Sequence, residues 1–175
     1  QTTALDGTVT AYKELTGTGG YRDVVDTVTD FRGNVTTYTY VGGKLTQTVA
    51  ADGTTTLYKE ITGVGGYRDV VDKVTDFRGN QTTYTYVGGK LTQTTALDGT
   101  TTLYKEILGN GGYRDVVDKV TDFRGNQTTY TYTGGKLTST TALDGTVTAY
   151  KELTGVGGYR DVVDTVTDFR GNVTT

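Results

Sequence analysis

Aspartate side chains form the densest group in this sequence that could take part in chemistry. Asp23, Asp26 and Asp30 lie close together, and the same spacing returns at Asp69, Asp72 and Asp76. Hard cations such as Ca²⁺ bind several oxygen ligands supplied by flexible loops. The candidate metal ligands in this chain are therefore Asp26, Asp30, Asp72 and Asp76.

The setting of these aspartates favours ion pairing over metal binding. Successive side chains of a strand point to opposite faces, so we expect Asp23 on the face opposite to Asp26 and Asp30. Neither an EF-hand loop nor a GGxGxD loop surrounds them. The alternative partners are the basic residues Arg22, Arg32, Lys13 and Lys44. We predict neither a metal site nor a cofactor.

Catalysis is not expected from these residues. Two carboxylates such as Asp26 and Asp30 hydrolyse glycosides when they flank a cleft at a defined separation. The pair recurs along the chain, however, and an enzyme seldom carries one active site several times over. The absence of Cys and His removes thiolate nucleophiles and the commonest general base. The glycine runs GTGG, GVGG and GNGG precede no helix that could help to bind phosphate, so we interpret them as loops.

Tyrosines at alternate positions form the second candidate set. Such rings can stack on sugars or on nucleic-acid bases. A net charge of −3 without a basic stripe argues against nucleic acid as a partner. We interpret these tyrosines as cross-strand packing residues and keep surface glycans as an alternative partner. They are Tyr38, Tyr40, Tyr84, Tyr86, Tyr130 and Tyr132.

These residues recur because the chain repeats itself every 46 residues. The repeats cover residues 1–46, 47–92, 93–138 and 139–175, and the fourth stops nine residues short of a full period. Fixed periods of this length are typical of solenoids, propellers and arrays. We expect the array to continue through further repeats, in this chain or in an adjoining one, rather than to close on itself.

The composition predicts strands joined by tight turns. The sequence contains 42 Thr, 14 Tyr and no Pro, and Thr, Tyr and Val are strand formers. Asp-Gly, Arg-Gly-Asn and Gly-Gly pairs separate the strand-like runs, which gives four strands and four turns in each repeat. The predicted turn glycines are Gly7, Gly33, Gly43, Gly53, Gly79, Gly89, Gly99, Gly125, Gly135, Gly145 and Gly171.

The fold class is therefore predicted as all-β, an antiparallel β-hairpin repeat array, with a four-bladed β-propeller as the alternative. Strict alternation puts Tyr38 and Tyr40 on one face with Thr36. It also puts Val24 and Val28 on one face with Asp26, and Val25 on the other. Along the preceding strand, Val9, Ala11 and Leu15 share a face that Lys13 interrupts.

The stretch DFRGNVTTYTY, which begins at Asp30, has the pattern D-x-x-G-x-x-x-x-Y-x-Y and is followed by Gly43-Lys44-Leu45-Thr46. This pattern resembles the RHS/YD repeats of bacterial toxins and surface proteins. The resemblance implies hairpins joined into a long spiralling sheet that serves as a shell, stalk or spacer. It implies no enzymatic activity.

Two hypotheses for the function follow. The first is a structural segment of an extracellular or cell-surface β-repeat protein, acting as fibre, stalk, shell or adhesin spacer, whose partners are further copies or repeats of itself. The second is a closed four-fold propeller, natural or designed, that binds carbohydrate or protein. No apolar run approaches the roughly 20 residues of a membrane-spanning helix, so we expect no membrane insertion.

Overall fold

The computed structural model describes residues 1–17, 20–63, 66–109, 112–155 and 158–175. These residues form an all-β chain of sixteen antiparallel strands in one open sheet. The order of the strands in the sheet is their order in the chain, so β1 and β16 are the edge strands. A propeller would divide the strands among four separate blades, and that alternative is therefore wrong. The centres of the predicted glycine-rich loops lie outside the described residues.

The chain divides into two compact units, residues Gln1–Lys90 and Leu91–Thr175. The strands of the first unit are β1 (Thr2–Thr3), β2 (Val9–Gly17), β3 (Gly20–Thr29), β4 (Val35–Val41), β5 (Lys44–Val49), β6 (Thr55–Gly63), β7 (Gly66–Thr75) and β8 (Gln81–Val87). The strands that follow are β9 (Lys90–Ala96), β10 (Thr101–Gly109), β11 (Gly112–Thr121), β12 (Gln127–Thr133), β13 (Lys136–Ala142), β14 (Val147–Gly155), β15 (Gly158–Thr167) and β16 (Val173–Thr174).

The turns at one end of the strands are three-residue loops. The Gly33 amide donates to the Asp30 carbonyl oxygen at 3.0 Å, and the Asp30 amide donates to the Asn34 carbonyl oxygen at 3.0 Å. Gly33 has φ of 85°, a value that residues with a side chain rarely adopt. The Asp-Gly turn at Gly7 has the same pattern. Among the described residues only glycines have positive φ, so the aspartate of the Asp-Gly pair stays in an ordinary conformation.

The Gly-Gly turns at the other end are two-residue loops. Val41 pairs with Lys44 across the turn, and Gly42 and Gly43 have φ of 57° and 82°. Two consecutive residues with positive φ match the type I′ turn, whose twist suits an antiparallel hairpin. The β4–β5 hairpin is therefore closed by two glycines, which adopt positive φ without the steric cost that a β-carbon brings.

A β-bulge interrupts the alternation in each long hairpin. Ala11 pairs with Thr27 while Tyr12 pairs with Val25, which leaves Asp26 as the extra residue of β3. Val25 consequently lies on the same face of the sheet as Tyr12. Val28, which pairs with Thr10, lies on that face too. The prediction of Val25 and Val28 on opposite faces was wrong because strict alternation does not allow for a bulge. Equivalent bulges occur at Asp72, Asp118 and Asp164.

Neighbouring hairpins are joined over only a short stretch. β3 pairs with β4 at Thr27, Val28 and Thr29 alone, whereas β2 and β3 pair along their whole length. Among the described residues, no backbone pairing joins the half of a long hairpin beyond its bulge to the neighbouring hairpin. No apolar side chain is fully buried among the described residues. Apart from this short backbone pairing, the contacts between hairpins are therefore made by side chains at the surface and not by a buried apolar core.

The described part of the chain contains no helix that is long and hydrophobic enough to cross a bilayer.

Candidate functional site

A lysine from each of the first three long hairpins reaches into the gap between that hairpin and the next. The Nζ atom of Lys13, on β2, lies 2.7 Å from Oδ1 of Asp26 on β3. It donates a hydrogen bond of 3.0 Å to the main-chain oxygen of Tyr38, on β4. It also lies 5.4 Å from the centroid of the Tyr40 ring, within the range of a cation–π interaction. We call these four residues the lysine cluster.

The bulge and the alternation of β4 explain how the cluster forms. Asp26 is the extra residue of β3, and a bulge re-aims the side chain that it carries. Tyr38 and Tyr40 alternate with exposed residues along β4 and are half-buried. Burial raises the pKa of the Tyr40 hydroxyl, and the nearby positive charge of Lys13 opposes this rise. The ring is therefore neutral at physiological pH and presents its face to the ammonium group.

The cluster recurs with nearly the same geometry in the second and third repeats. Lys59 lies 2.6 Å from Asp72, 3.2 Å from the Tyr84 carbonyl oxygen and 5.5 Å from the Tyr86 ring centroid. The corresponding distances for Lys105, to Asp118, Tyr130 and Tyr132, are 2.6, 3.3 and 5.5 Å. In the fourth repeat Lys151 lies 2.7 Å from Asp164.

An arginine forms a second contact between successive hairpins, nearer their tips. The Nη2 atom of Arg68 donates to the Gly89 carbonyl oxygen, and that of Arg114 donates to the Gly135 carbonyl oxygen. A Cβ added to Gly135 would lie 2.8 Å from the Cα of Gly109. The two backbones approach so closely that glycine is required at this position for space as well as for its φ of 83°.

A lysine that follows the Gly-Gly turn forms the third contact. The Nζ atom of Lys44 lies 2.7 Å from Oε2 of Glu60, on the next hairpin. The hydrogen bond with Glu60 raises the pKa of Lys44, against a smaller opposing effect of desolvation. Lys136 makes the equivalent ion pair with Glu152. Three types of charged contact thus connect consecutive hairpins.

The candidate metal ligands have partners within the chain. Asp26 and Asp72 pair with Lys13 and Lys59, as described above. Both carboxylate oxygens of Asp30 are used within its own turn: Oδ1 accepts from the Arg32 and Asn34 amides at 2.8 Å, and Oδ2 accepts from the Asn34 side chain at 2.8 Å. The side-chain hydrogen bond from Asn34 is the largest cause of the lowered pKa of Asp30.

The turn of Asp76 has the same arrangement, with Asn80 as its partner. Asp26 and Asp30 therefore have different partners and form no shared site. Among the described residues, no three acidic side chains converge in a way that could hold a metal ion.

The predicted turn glycines lie where backbone conformation demands them. All eleven have positive φ, between 82° and 88°. The Gly-Gly turns use both of their glycines, since Gly42, Gly88 and Gly134 also have positive φ, of 57°, 57° and 58°. The sequence reasoning named Lys13 as a possible ion-pair partner of the aspartates. It missed the contacts of Lys13 with Tyr38 and Tyr40, although Lys13 interrupts an otherwise apolar face of β2.

A groove of about 510 Å³ lies between hairpins of the second unit. Tyr104, Tyr132 and Leu137 line it, and the carboxylates of Asp115 and Glu152 lie among its walls. Asp115 is exposed and has no ion pair or hydrogen bond among the described residues, whereas Glu152 pairs with Lys136. The groove combines aromatic rings with polar groups, as small-molecule sites do.

Comparisons with known proteins add little. No family model and no curated protein matches the sequence. A matching solved structure is the crystal structure of TcdB2-TccC3-Cdc42, with 12% sequence identity and a TM-score of 0.37. The match covers 94% of this chain and 10% of that one, so this chain spans about a tenth of its length. A TM-score of this size does not establish a common fold.

Proposed function

We propose that this chain is a structural segment of a β-repeat protein of the RHS/YD type, in which hairpins are added one after another as a spacer, stalk or shell. The repeats themselves are the partners in this role, and the segment catalyses no reaction. The protein to which the segment belongs acts outside the cell or on its surface.

The observation that carries the proposal is the recurrence of the lysine cluster. Lys13, Lys59 and Lys105 each connect their own hairpin to the next one. An assembly whose contacts run only between consecutive units can be lengthened without changing any of them, and its stability is a sum of unit and neighbour terms. The absence of a buried apolar core among the described residues agrees with such a design.

The residues that carry the resemblance to RHS/YD repeats have defined structural roles in this chain. The motif aspartate Asp30 accepts the hydrogen bonds of its turn, and the motif glycine Gly33 has the positive φ that the turn requires. The motif tyrosines Tyr38 and Tyr40 lie on the half-buried face of β4. Each named residue of the pattern D-x-x-G-x-x-x-x-Y-x-Y thus has a structural role in the turn or in the strand.

The extracellular setting is supported by composition. The chain has no Cys and no Met, so neither disulfide exchange nor thioether oxidation alters it. Antibody labelling of intact cells that make the parent protein tests this part of the proposal. Labelling only after permeabilisation would contradict it.

Tandem chains of two, four and eight repeats test the structural role. Each repeat contributes four strands, which are spaced by about 4.8 Å in a sheet. We expect small-angle scattering to show a maximum dimension that grows by a constant increment of up to about 19 Å per added repeat. A dimension that rises only as the cube root of chain length would indicate a globule and would contradict the proposal.

A second candidate function, glycan binding, is favoured by one observation. The groove of the second unit presents the rings of Tyr104 and Tyr132 next to the exposed carboxylate of Asp115. Titration with neutral oligosaccharides, followed by NMR, should give saturable shifts at these residues, and Asp115→Asn should weaken the binding. Titrations without saturable shifts would remove this candidate and leave the structural role untouched.

A further inference from the structure

Four of the five asparagines in this chain begin the motif Asn-x-Thr. The motif occurs once in each repeat, as Asn34-Val35-Thr36, Asn80-Gln81-Thr82, Asn126-Gln127-Thr128 and Asn172-Val173-Thr174. Asn-x-Ser/Thr, with any residue except Pro in the middle, is the acceptor motif for N-linked glycosylation of secreted proteins. The fifth asparagine, Asn110, is followed by two glycines and lacks the hydroxyl group at the third position.

A three-letter motif carries no inference by itself, so the placement of the asparagines in the fold decides. Asn34 lies between the turn glycine Gly33 and the first residue of β4, and it is exposed. The equivalent asparagines Asn80, Asn126 and Asn172 are exposed as well. Because an attached oligosaccharide is bulky and hydrophilic, it requires a surface position of this kind.

The acceptor loops of each unit are well separated from each other. In the first unit, the β3–β4 loop and the β7–β8 loop are four strands apart, which places them about 19 Å apart in the sheet. In the second unit, the β11–β12 loop and the β15–β16 loop have the same spacing in strands. Within a unit, both loops lie at the same end of the strands, so two oligosaccharides would extend side by side from that end.

The asparagine side chain has one amide hydrogen to spare. Nδ2 of Asn34 donates to Oδ2 of Asp30 at 2.8 Å, and Nδ2 of Asn80 donates to Oδ2 of Asp76 at 2.8 Å. Among the described residues, this aspartate is the only acceptor for the amide nitrogen, which carries two hydrogens. One hydrogen can therefore be replaced by a sugar while the other keeps the hydrogen bond within the turn.

We propose that Asn34, Asn80, Asn126 and Asn172 are acceptor sites for N-linked oligosaccharides, and that the glycosylated amide keeps its hydrogen bond to the aspartate of its turn. The inference rests on the proposed function, because the transfer requires that the chain pass through a secretory membrane. It adds a row of covalently attached glycans to one end of the strands in each unit.

The co-reactant is an oligosaccharide linked to a polyprenyl pyrophosphate. Nδ2 of the asparagine forms a bond to the anomeric carbon of the first sugar, while the bond between that carbon and the pyrophosphate oxygen breaks. The pyrophosphate leaves with the electron pair of the broken bond, and Nδ2 gives one proton to a base of the transferase. No oxidation or reduction takes place.

The test uses the full chain, preceded by a cleavable signal peptide and secreted from cultured animal cells. We expect its intact mass to exceed that of the unmodified chain by up to four oligosaccharides. Glycopeptide mapping should find them on the asparagines of the four motifs. Asn110 is the internal control and should carry none, because its third position is a glycine.

A matched pair of substitutions at Thr82 separates the motif from mere exposure. Thr82 is half-buried and pairs with Val74. Thr82→Val removes the hydroxyl group but keeps the β-branched shape, so it should abolish the glycan on Asn80 and leave the glycan on Asn34 unchanged. Thr82→Ser keeps the hydroxyl group, and the glycan on Asn80 should persist.

Two enzymes test whether the hydrogen bond within the turn is retained. An endoglycosidase trims the oligosaccharides of cells grown with a mannosidase inhibitor and leaves the first sugar on the asparagine amide. Peptide N-glycosidase instead converts the asparagine to aspartate, which places a second carboxylate beside the aspartate of the turn. The trimmed chain should melt within about 2 °C of unglycosylated chain made in bacteria, and the converted chain should melt more than about 4 °C lower.

Any of three results would overturn the inference: a secreted chain without glycans, a glycan on Asn80 that survives Thr82→Val, or a trimmed chain that melts as low as the converted one. Antibody labelling of intact cells keeps this failure separate from failure of the proposed function. If the parent protein is labelled on intact cells while the secreted chain carries no glycan, the extracellular setting stands and the acceptor sites are rejected. If labelling requires permeabilisation, the setting is rejected, and the glycopeptide map still decides whether the asparagines are acceptors.

Discussion

The Nζ atom of Lys59 lies 2.6 Å from Oδ1 of Asp72, the extra residue of the bulge in β7. The same ammonium group donates to the carbonyl oxygen of Tyr84, on the following hairpin. The bulge in β7 thus positions the carboxylate of Asp72 beside Lys59, and Lys59 in turn contacts the following hairpin at Tyr84. Asp72 therefore affects both the pairing within its own hairpin and the contact with the next hairpin.

Lys59→Gln should therefore lower the free energy of unfolding by about 1 kcal/mol, through loss of a partly exposed ion pair and one hydrogen bond. Lys73→Gln is the matched control, because Lys73 has no ion pair among the described residues. It should change the free energy by less than about 0.5 kcal/mol. Urea unfolding measures both, and equal effects of the two substitutions would show that the lysine cluster does not stabilise the array.

Asn80→Ala should raise the pKa of Asp76 towards its ordinary value of 3.8. In the native protein the Asn80 side chain holds this pKa down by a hydrogen bond, so the carboxylate stabilises the fold above about pH 4. That stabilisation is lost as the pH falls through the lowered pKa of the folded state. NMR titration of the carboxyl carbon measures the change, with Asp122 as the internal control whose turn is unaltered. An unchanged pKa for Asp76 would show that Asn80 is not its main partner.

Gly135→Ala should destabilise the protein more than Gly125→Ala. Both positions have positive φ, 83° and 87°, which costs an alanine about 1 kcal/mol. Only at Gly135 would the added Cβ meet a backbone atom, the Cα of Gly109 at 2.8 Å, and such overpacking adds about 1–3 kcal/mol. Thermal and urea unfolding of the two variants should differ accordingly. Equal losses would mean that the hairpin tips are not in close contact.

Removal of divalent cations with EDTA should leave the melting temperature within about 2 °C of its original value. The carboxylates of Asp26 and Asp72 are neutralised by lysines, so their repulsion needs no metal ion. Differential scanning calorimetry with and without EDTA measures this. A fall of more than about 10 °C would correspond to over 1 kcal/mol and would show that a metal ion stabilises the fold.

Local chemistry made the strands and turns predictable. Asp-Gly and Gly-Gly pairs specify turns through glycine φ values. The alternation of Tyr38 and Tyr40 holds in β4 because the bulge of the β4–β5 hairpin has its extra residue, Thr46, on β5. The bulge at Asp26 was not predictable, because the extra residue becomes visible only from the register of the partner strand. The partner of Lys13 across the gap is the carbonyl of Tyr38, which is 25 residues away, and no local pattern in the sequence specifies such a distant contact.

Equilibrium unfolding of tandem chains with two, three, four and five repeats tests the central claim most directly. If consecutive hairpins are held by contacts that recur in every repeat, each added repeat contributes the same unit and neighbour terms. The account predicts a free energy of unfolding that rises by a constant increment per repeat, and a smaller increment when every equivalent of Lys59 is replaced by Gln. A free energy that does not depend on the number of repeats, or an increment that the lysine substitutions leave unchanged, would contradict it.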